Sequence, residues 1–392
     1  MSVSGSFKHL WFLNLSTFFF FLGISLLNPL ISPYAITLGA QPFVVGVVAG
    51  VASGVSLVSK LFGGYVGDKG YRFHAMFLGN ILGIVAGLLY IFSGLSGSIM
   101  IFALGRAIHG FAMGIFFPSS LSSAVDLAPG GRIGEALGWR GMMFSLGNIV
   151  GPAIGGFVSD KFGFTFAFAL TIAFSVLGAL FVLSVWREIK EIQAEKYEEH
   201  ASYRELLKPF FISASLALFF ISMAYSGVVT FLPALYKVSG LGQGVFGIYM
   251  MLMGFSSFLT RLVGGKSADR MGPIPVARFG IFMIFLGYLS LLKFKFPPYS
   301  YVPAVVSGLG FGLSLPALQV MALARLPQKI RTMGSSIYTM FFDLGTLSGQ
   351  VVLGYVAQLK GYSGVFPIIA FLPVVSIILV NAPLLWRDRN ES

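Results

Sequence analysis

Residues 59–69, SKLFGGYVGDK, return 201 positions later as residues 260–270, TRLVGGKSADR. Both copies keep two adjacent glycines and an Asp that is followed by a basic residue. Further matches occur in the same order at an offset of 198: Gly110, Gly114 and Pro118 with Gly308, Gly312 and Pro316, and Leu146, Gly147, Gly151 and Gly156 with Leu344, Gly345, Gly349 and Gly354. Three independent matches in one order indicate that the chain is an internal duplication.

The composition places this duplication in a lipid bilayer. Of the 392 residues, 56% are hydrophobic and 10% are charged, and the mean hydropathy is +0.86. Soluble domains carry about 25% charged residues, so this chain has too few ions to cover a water-exposed surface. We predict an all-α integral membrane protein. Because the chain has no cysteine, disulfides, iron–sulfur clusters and cysteine nucleophiles are excluded.

Apolar runs of about 20 residues, long enough to cross a bilayer as a helix, recur along the chain. Twelve spans are predicted, at residues 10–33, 43–66, 74–94, 98–121, 137–158, 164–186, 210–232, 244–264, 278–296, 300–323, 334–356 and 365–386. One polar, Glu-rich segment at 187–209 interrupts them and predicts a cytoplasmic linker. It separates an N-terminal half, 1–186, from a C-terminal half, 210–392, each with six spans. Two such repeats around a central site are typical of alternating-access transporters.

The net charge of +12 is unevenly placed. With the N-terminus inside, the outer loops carry only Lys161, Lys237, Lys293, Lys295 and Lys360. Arg106 falls within a span, and the other 20 basic residues are expected on the cytoplasmic side. This bias predicts a multi-pass protein of the plasma membrane with both termini in the cytoplasm. It also indicates that the excess basic residues contact anionic lipid head groups rather than nucleic acid.

The duplicated stretch resembles the signature of the major facilitator superfamily, and the resemblance covers essentially the whole chain. The first copy is similar to that family's G-x-x-x-D-R/K-x-G-R pattern. The resemblance implies the fold of that family and a gating role for Gly64, Asp68, Lys69, Arg72, Asp269 and Arg270. Each Asp can accept hydrogen bonds from a helix N-terminus, and Arg132 and Arg331 are candidate partners. The alternative is a solvated turn charge.

Span 4 contains Arg106-Ala-Ile-His109-Gly110, similar to the family's R-x-x-Q-G pattern with His in place of Gln. A charge near mid-membrane costs about 2.5–3.5 kcal/mol or more, so Arg106 should face a polar cavity or a partner. Arg106 and His109 share a helix face because they are three residues apart. They form either a proton-coupling or anion-binding pair, or a structural pair bonded to span 1 groups such as Asn28.

Span 5 carries Gly147, Gly151, Pro152, Gly155 and Gly156 in the order G-x-x-x-G-P-x-x-G-G. The full pattern resembles the antiporter signature of proton-coupled exporters in the same superfamily and therefore implies export. Glycines four apart also form a flat stripe for close helix packing, and Pro152 bends the helix locally. The stripe alone is common in membrane helices.

Asp343 is the only acidic residue well inside a predicted span, and Ser145 holds the equivalent place in the first half. A carboxylate at that depth is a candidate proton carrier or partner for a cationic substrate. The alternative is a carboxylate bonded to nearby backbone or hydroxyl groups. In the resembling family, spans 1, 4, 7 and 10 line the path. Phe116 and Phe117 of span 4 and Tyr225 of span 7 could hold a lipophilic substrate there, or simply pack, and Tyr338 of span 11 is a further candidate for the cavity.

The chain lacks the patterns of an enzyme. Gly265-Lys266-Ser267 mimics the end of a phosphate-binding loop, but Thr260 stands where the first glycine is required. Neither H-E-x-x-H nor G-x-S-x-G occurs, and the four histidines are not spaced as metal ligands. We therefore predict no catalysis, no metal and no cofactor.

These residues are compatible with three functions. The first is proton-coupled efflux of lipophilic or drug-like molecules, with Asp343, Arg106 and His109 in coupling. The second is uniport or proton symport of a small organic anion bound by Arg106. The third is a non-transporting membrane receptor or scaffold that uses the linker as its partner surface. The expected partners are a small-molecule substrate, protons and the lipid bilayer, and the expected state is a monomer.

Overall fold

The computed structural model describes residues 7–68, 71–127, 133–186, 206–323, 326 and 328–390. Within these ranges the regular structure is helical, and no β-strand occurs among them. The helices are α1 (Phe7–Ser25), α2 (Ile31–Thr37), α3 (Pro42–Asp68), α4 (Arg72–Ser96), α5 (Ile99–Asp126), α6 (Ile133–Phe162), α7 (Phe164–Leu183), α8 (Pro209–Val238), α9 (Gln243–Met271), α10 (Pro273–Ser290), α11 (Tyr301–Leu323), α12 (Gln328–Lys360) and α13 (Phe366–Asn390). A 3₁₀ turn, Tyr362–Val365, precedes α13.

Eleven helices in the described part of the chain are long and apolar enough to cross a membrane. They correspond to the second through twelfth predicted spans, so the all-α membrane fold is confirmed. The ninth differs most from its prediction of 278–296, because α10 begins at Pro273 and ends at Ser290. Proline is favoured at the first helical position, where its missing N–H would have no partner anyway.

The first predicted span, 10–33, is not one helix. α1 ends at Ser25, residues 26–30 form turns, and α2 starts at Ile31. Pro29 explains the break, since it has no N–H to continue the helix and disfavours helical geometry at Asn28 before it. The Asn28 N–H bonds the Ser25 carbonyl at 3.0 Å. A continuous first span was therefore wrong.

The chain forms two compact units. The first holds described residues 7–40, 51–186 and 242–247, and the second holds 41–50, 206–241 and 248–390. In the first unit α1 packs on α6 and α7, and α4 packs on α5 and α7. In the second, α8 packs on α12 and α13, and α10 packs on α11 and α13. When the six spans of each half are numbered from its start, the same four pairs pack together: first with fifth, first with sixth, third with fourth, and third with sixth. The two units therefore share one packing arrangement. Most of the predicted linker, 187–205, lies outside the described residues.

The glycines that the repeat pairs make equivalent close contacts in each unit. A Cβ on Gly114 of α5 would lie 2.9 Å from the Ser56 carbonyl oxygen of α3. Its counterpart Gly312 of α11 lies against Ser257 and Thr260 of α9. Because glycine lets two helix backbones approach closely, the duplicated glycines set the same α3–α5 and α9–α11 crossings.

Candidate transport site

A buried polar cluster lies in the first unit. Arg106 and His109 of α5 are only 8% and 4% exposed. Tyr90 of α4, fully buried, places its hydroxyl 3.1 Å from His109 Nδ1 and is also hydrogen bonded to Arg106. The tautomer of His109 decides whether the hydroxyl or the ring nitrogen donates. Arg106 and His109 thus converge on one hydroxyl from a neighbouring helix, which the sequence analysis did not identify.

The short helix α2 contacts the same cluster. The Tyr34 hydroxyl lies 3.2 Å from Ser93 Oγ and 3.3 Å from the Tyr90 carbonyl oxygen. Ser93 Oγ in turn donates to that carbonyl at 2.6 Å. Asn28, the predicted polar neighbour of Arg106, lies half-buried in the turn that leads into α2. The break in the first span therefore brings α2 onto α4 beside the cluster.

Arg140 of α6 is a second buried guanidinium, although it is one of the 20 basic residues predicted on the cytoplasmic side. It is 4% exposed. Its Nε and Nη2 donate to Ser120 Oγ at 3.2 and 2.7 Å, and Nη2 also donates to the Phe117 carbonyl at 3.2 Å. The guanidinium carbon lies 4.7 Å from the Phe117 ring centroid, a cation–π distance. Its place inside the predicted fifth span was the signal that it could be buried.

Asp343 lies in α12 of the second unit and is 4% exposed. Among the described residues it is the one acidic side chain that is buried. Two residues further along α12, Gly345 packs directly on Phe219 and Ser222 of α8. Ser145, the counterpart of Asp343, is half-buried in α6. The two units therefore differ in charge at equivalent places.

The four candidate aromatic residues occupy different surroundings. Phe116 is fully buried and stacks on Phe20 of α1 with a centroid distance of 3.8 Å, so it belongs to the core of the first unit. Tyr338 of α12 is also buried. Phe117 and Tyr225 are half-buried, and Tyr225 lies 5.5 Å from the Phe311 ring.

The candidate gating residues are only partly described. Arg72 begins α4 and is half-buried, and Arg270 is exposed near the end of α9. A Cβ on Gly64 would meet nothing within 4 Å, whereas one on Gly63 would lie 2.7 Å from the Gly114 carbonyl oxygen. Of these two adjacent glycines, Gly63 is therefore the one that lies at a close helix approach. The side chains of Asp68, Asp269 and Arg331, and all of Lys69 and Arg132, lie outside the described residues.

The glycine–proline pattern of α6 has two packed faces. Gly147 and Gly151 face α1, and Gly155 faces Leu26 directly after it: a Cβ on Gly151 would lie 3.1 Å from the Leu22 carbonyl oxygen of α1. Gly156 faces the first turn of α9, where its Cβ would lie 2.7 Å from the Gln243 carbonyl oxygen. Pro152 contributes to that second face through its carbonyl oxygen, which lies 2.6 Å from a Cβ on Gly247. Both faces would be disrupted by larger side chains.

Known proteins place this architecture in a family. The sequence profile described as Major Facilitator Superfamily matches residues 13–346 and 296–392. The chain belongs to the major facilitator superfamily. It is therefore a multi-pass membrane transporter and not an enzyme, as the sequence analysis predicted.

Curated relatives within the superfamily include named multidrug proteins. The multidrug resistance protein MdtG of Dickeya zeae is 26% identical over 401 residues, which cover 98% of this chain and 95% of that one. The multi-drug resistance efflux pump PmrA of Streptococcus pneumoniae is 28% identical over 360 residues, which cover 88% of both chains.

Solved structures of major facilitator proteins share the fold. A bacterial homolog of the human lysosomal transporter Spinster has a TM-score of 0.76 at 16% identity, with 99% of this chain and 98% of that chain covered. A D-xylose–proton symporter has the same TM-score at 13% identity, with 96% and 97% covered. At these identities the likeness establishes the fold alone.

Proposed function

We propose that this major facilitator protein is a secondary active transporter that works by alternating access and exports lipophilic, drug-like molecules in exchange for protons. Its relatives MdtG and PmrA, 26% and 28% identical, bear names of multidrug resistance and efflux proteins. The glycine–proline pattern of α6, which resembles the antiporter signature, favours the same direction. Both termini are proposed to lie in the cytoplasm, since that orientation puts most of the basic residues on the cytoplasmic side. The working unit is proposed to be a monomer in the plasma membrane.

The observation that carries the coupling is the burial of Asp343 inside α12. An intramembrane carboxylate is costly to maintain and is therefore a candidate proton carrier. Neutralised by a proton it releases a cationic substrate, and ionised it binds one. The membrane potential supplies enough energy for export, because one charge moved through 100 mV yields about 2.3 kcal/mol. That free energy corresponds to a substrate gradient of roughly 50-fold.

The test is efflux of a cationic lipophilic dye from proteoliposomes with an imposed pH gradient. Protons that flow down the gradient should drive the dye in the opposite direction. We expect Asp343→Asn to abolish the gradient-dependent component, because the amide cannot exchange a proton, and Asp343→Glu to retain part of it. Gradient-driven flux that survives in Asp343→Asn would move the proton site elsewhere, with Arg106 and His109 next in line.

A second candidate, transport of a small organic anion, is favoured by one observation. The buried charged side chains described in the first unit are two guanidiniums, Arg106 and Arg140, and no acidic side chain is buried among them. Uptake of a labelled aromatic carboxylate distinguishes the two functions. Anion uptake that is lost in Arg106→Gln, with no dye efflux by the unaltered protein, would replace export by anion transport. Uptake unchanged in Arg106→Gln would remove this candidate.

A further inference from the structure

Asp160, near the C-terminal end of α6, caps the start of α9. Its Oδ1 accepts a hydrogen bond from the Gln243 backbone N–H at 2.6 Å, and its Oδ2 accepts one from the Gly244 N–H at 2.7 Å. Gln243 and Gly244 are the first two residues of α9, so their N–H groups have no acceptor inside that helix. A carboxylate there makes short, charge-assisted bonds and complements the helix dipole.

The surrounding packing fits this cap closely. The Gly244 Cα lies 2.9 Å from where a Cβ on Gly156 would be, and the Pro152 carbonyl oxygen approaches Gly247 at the end of the first turn. A Cβ on Gly242 would lie 2.6 Å from Asp160 Oδ2 itself. The glycine–proline pattern of α6 thus brings the first turn of α9 within reach of the Asp160 carboxylate.

The second unit contains the equivalent arrangement with an amide. Gln358 of α12 stands 198 positions after Asp160, and its Oε1 accepts a hydrogen bond from the Phe43 N–H in the first turn of α3 at 3.3 Å. Its Nε2 donates to Gln41 Oε1 at 3.3 Å. Gln350 and Gly354, the counterparts of Pro152 and Gly156, both contact Gly46 of α3. The repeat therefore makes the same contact twice, once with two short carboxylate bonds and once with longer amide bonds.

We propose that Asp160 is a positioning residue of the transport cycle. Its two hydrogen bonds hold the first turn of α9 against α6, and they break and re-form each time that turn leaves α6. The proposal rests on the alternating access of the proposed function. The first turn of α9, up to Gly247, belongs to the same compact unit as α6, while the helix from Ile248 onward belongs to the second unit. A rearrangement of the units therefore strains α9 between Gly247 and Ile248 and pulls on the hydrogen bonds of Asp160. Gln358 holds α3 by a weaker contact of the same kind.

The chain offers a clean reporter because it contains no cysteine. Gln243 is 4% exposed, and no described group hydrogen bonds its side-chain oxygen. Gln243→Cys therefore keeps the backbone N–H that Asp160 binds and removes a side-chain oxygen that no described group contacts by a hydrogen bond. Its labelling rate by a bulky fluorescent maleimide, measured in detergent without substrate or pH gradient, reports how often the first turn of α9 leaves α6.

In the Gln243→Cys background, we expect Asp160→Ala to accelerate labelling by at least about tenfold, since two hydrogen bonds to a charged group are lost. Asp160→Asn, with one acceptor oxygen, should give a smaller increase. The matched control is Lys161→Ala, one position along α6, whose ammonium lies over the rings of Phe157 and Phe162 rather than at α9. Lys161→Ala should leave the labelling rate unchanged.

Equal labelling of the parent and Asp160→Ala chains, at whatever absolute rate, would overturn the proposal. A gain shared by Lys161→Ala would do the same, because it would reveal general loosening. A second variant, Gln358→Asp, places a carboxylate at the equivalent position in α12. It should protect a Val45→Cys reporter, which lies in the first turns of α3, and faster labelling of that reporter would contradict the shared role. Because no substrate or proton gradient is used, these results are independent of whether drug efflux is observed.

Discussion

At the scale of single residues, equivalent polar groups in the two units have different hydrogen-bond partners. Tyr90 of α4 and Tyr288 of α10 stand 198 positions apart, and both are fully buried. The Tyr90 hydroxyl contacts His109 and Arg106, whereas no described group hydrogen bonds the Tyr288 hydroxyl. Because the cost of a buried hydroxyl depends on its partners, the same substitution should act differently at the two places.

Tyr90→Phe should lower the free energy of unfolding in detergent by about 1–3 kcal/mol, because it leaves His109 and Arg106 without the shared hydroxyl. Tyr288→Phe is the matched control and should be neutral or stabilising, since it removes a hydroxyl without a described partner. Thermal unfolding of the two variants measures both effects. Equal destabilisation would show that the hydroxyl of Tyr90 contributes nothing specific.

Arg140→Lys should destabilise the first unit by about 1.5–3 kcal/mol, the range for hydrogen bonds to charged groups. A lysine ammonium lacks the planar fork that reaches both Ser120 Oγ and the Phe117 carbonyl. Arg278→Lys, at an exposed position of α10, serves as the control and should change the unfolding midpoint little. If both variants unfold alike, the bonds of Arg140 are dispensable.

At the scale of helices, contact with a neighbouring backbone distinguishes one glycine from the next. In α3, a Cβ on Gly63 would press on the α5 backbone at Gly114 and Ile115, while a Cβ on Gly64 would meet open space. In α9, Gly264 presses on Gly312 and Leu313 of α11, and nothing lies within 4 Å of Gly265. One member of each adjacent pair therefore sets a helix crossing.

Gly63→Ala should destabilise the protein by about 1–3 kcal/mol, the cost of forcing an overpacked contact. Gly64→Ala should be neutral or stabilising by up to about 1 kcal/mol, because alanine is the better helix former and has room. The measurement is the unfolding midpoint of each variant in the same detergent. A larger loss in Gly64→Ala than in Gly63→Ala would contradict the assignment.

Hydropathy predicted the helices well and their polar contacts poorly, for a physical reason. Bilayer crossing is a property summed over about 20 residues, so eleven of twelve spans could be located from the sequence. The break at Pro29, the burial of Arg140 and the contact of Tyr90 with His109 depend on single groups and on which helix lies opposite. Those contacts are set by tertiary packing, which neither periodicity nor composition specifies.

At the scale of the whole molecule, the duplicated sequence corresponds to a duplicated packing plan. The helix pairs that build each unit, α1 with α6 and α7, and α8 with α12 and α13, lie within residues 7–183 and 209–390. Both units therefore carry their own packing contacts, and the polar segment between them is expected to serve as a tether.

Replacement of residues 190–203 by a Gly/Ser segment of equal length should leave dye efflux within about twofold of the unaltered protein, because such a flexible linker still spans the same gap. The measurement is gradient-driven efflux in proteoliposomes at matched protein density. Loss of flux in a variant that folds normally would show that the segment acts beyond tethering and would strengthen the receptor or scaffold hypothesis.

Because the paired glycines make equivalent contacts, the effect of a substitution in one half of the chain predicts the effect at the matching position in the other half. Gly114 and Gly312, or Gly151 and Gly349, meet a neighbouring helix at matching places. A scan of every substitution, scored for growth under drug, should therefore give two tolerance profiles that superimpose when shifted by 198 positions in these helices. The places where the profiles diverge, such as Asp343 against Ser145 and Asp160 against Gln358, would mark where selection has given the two copies different tasks.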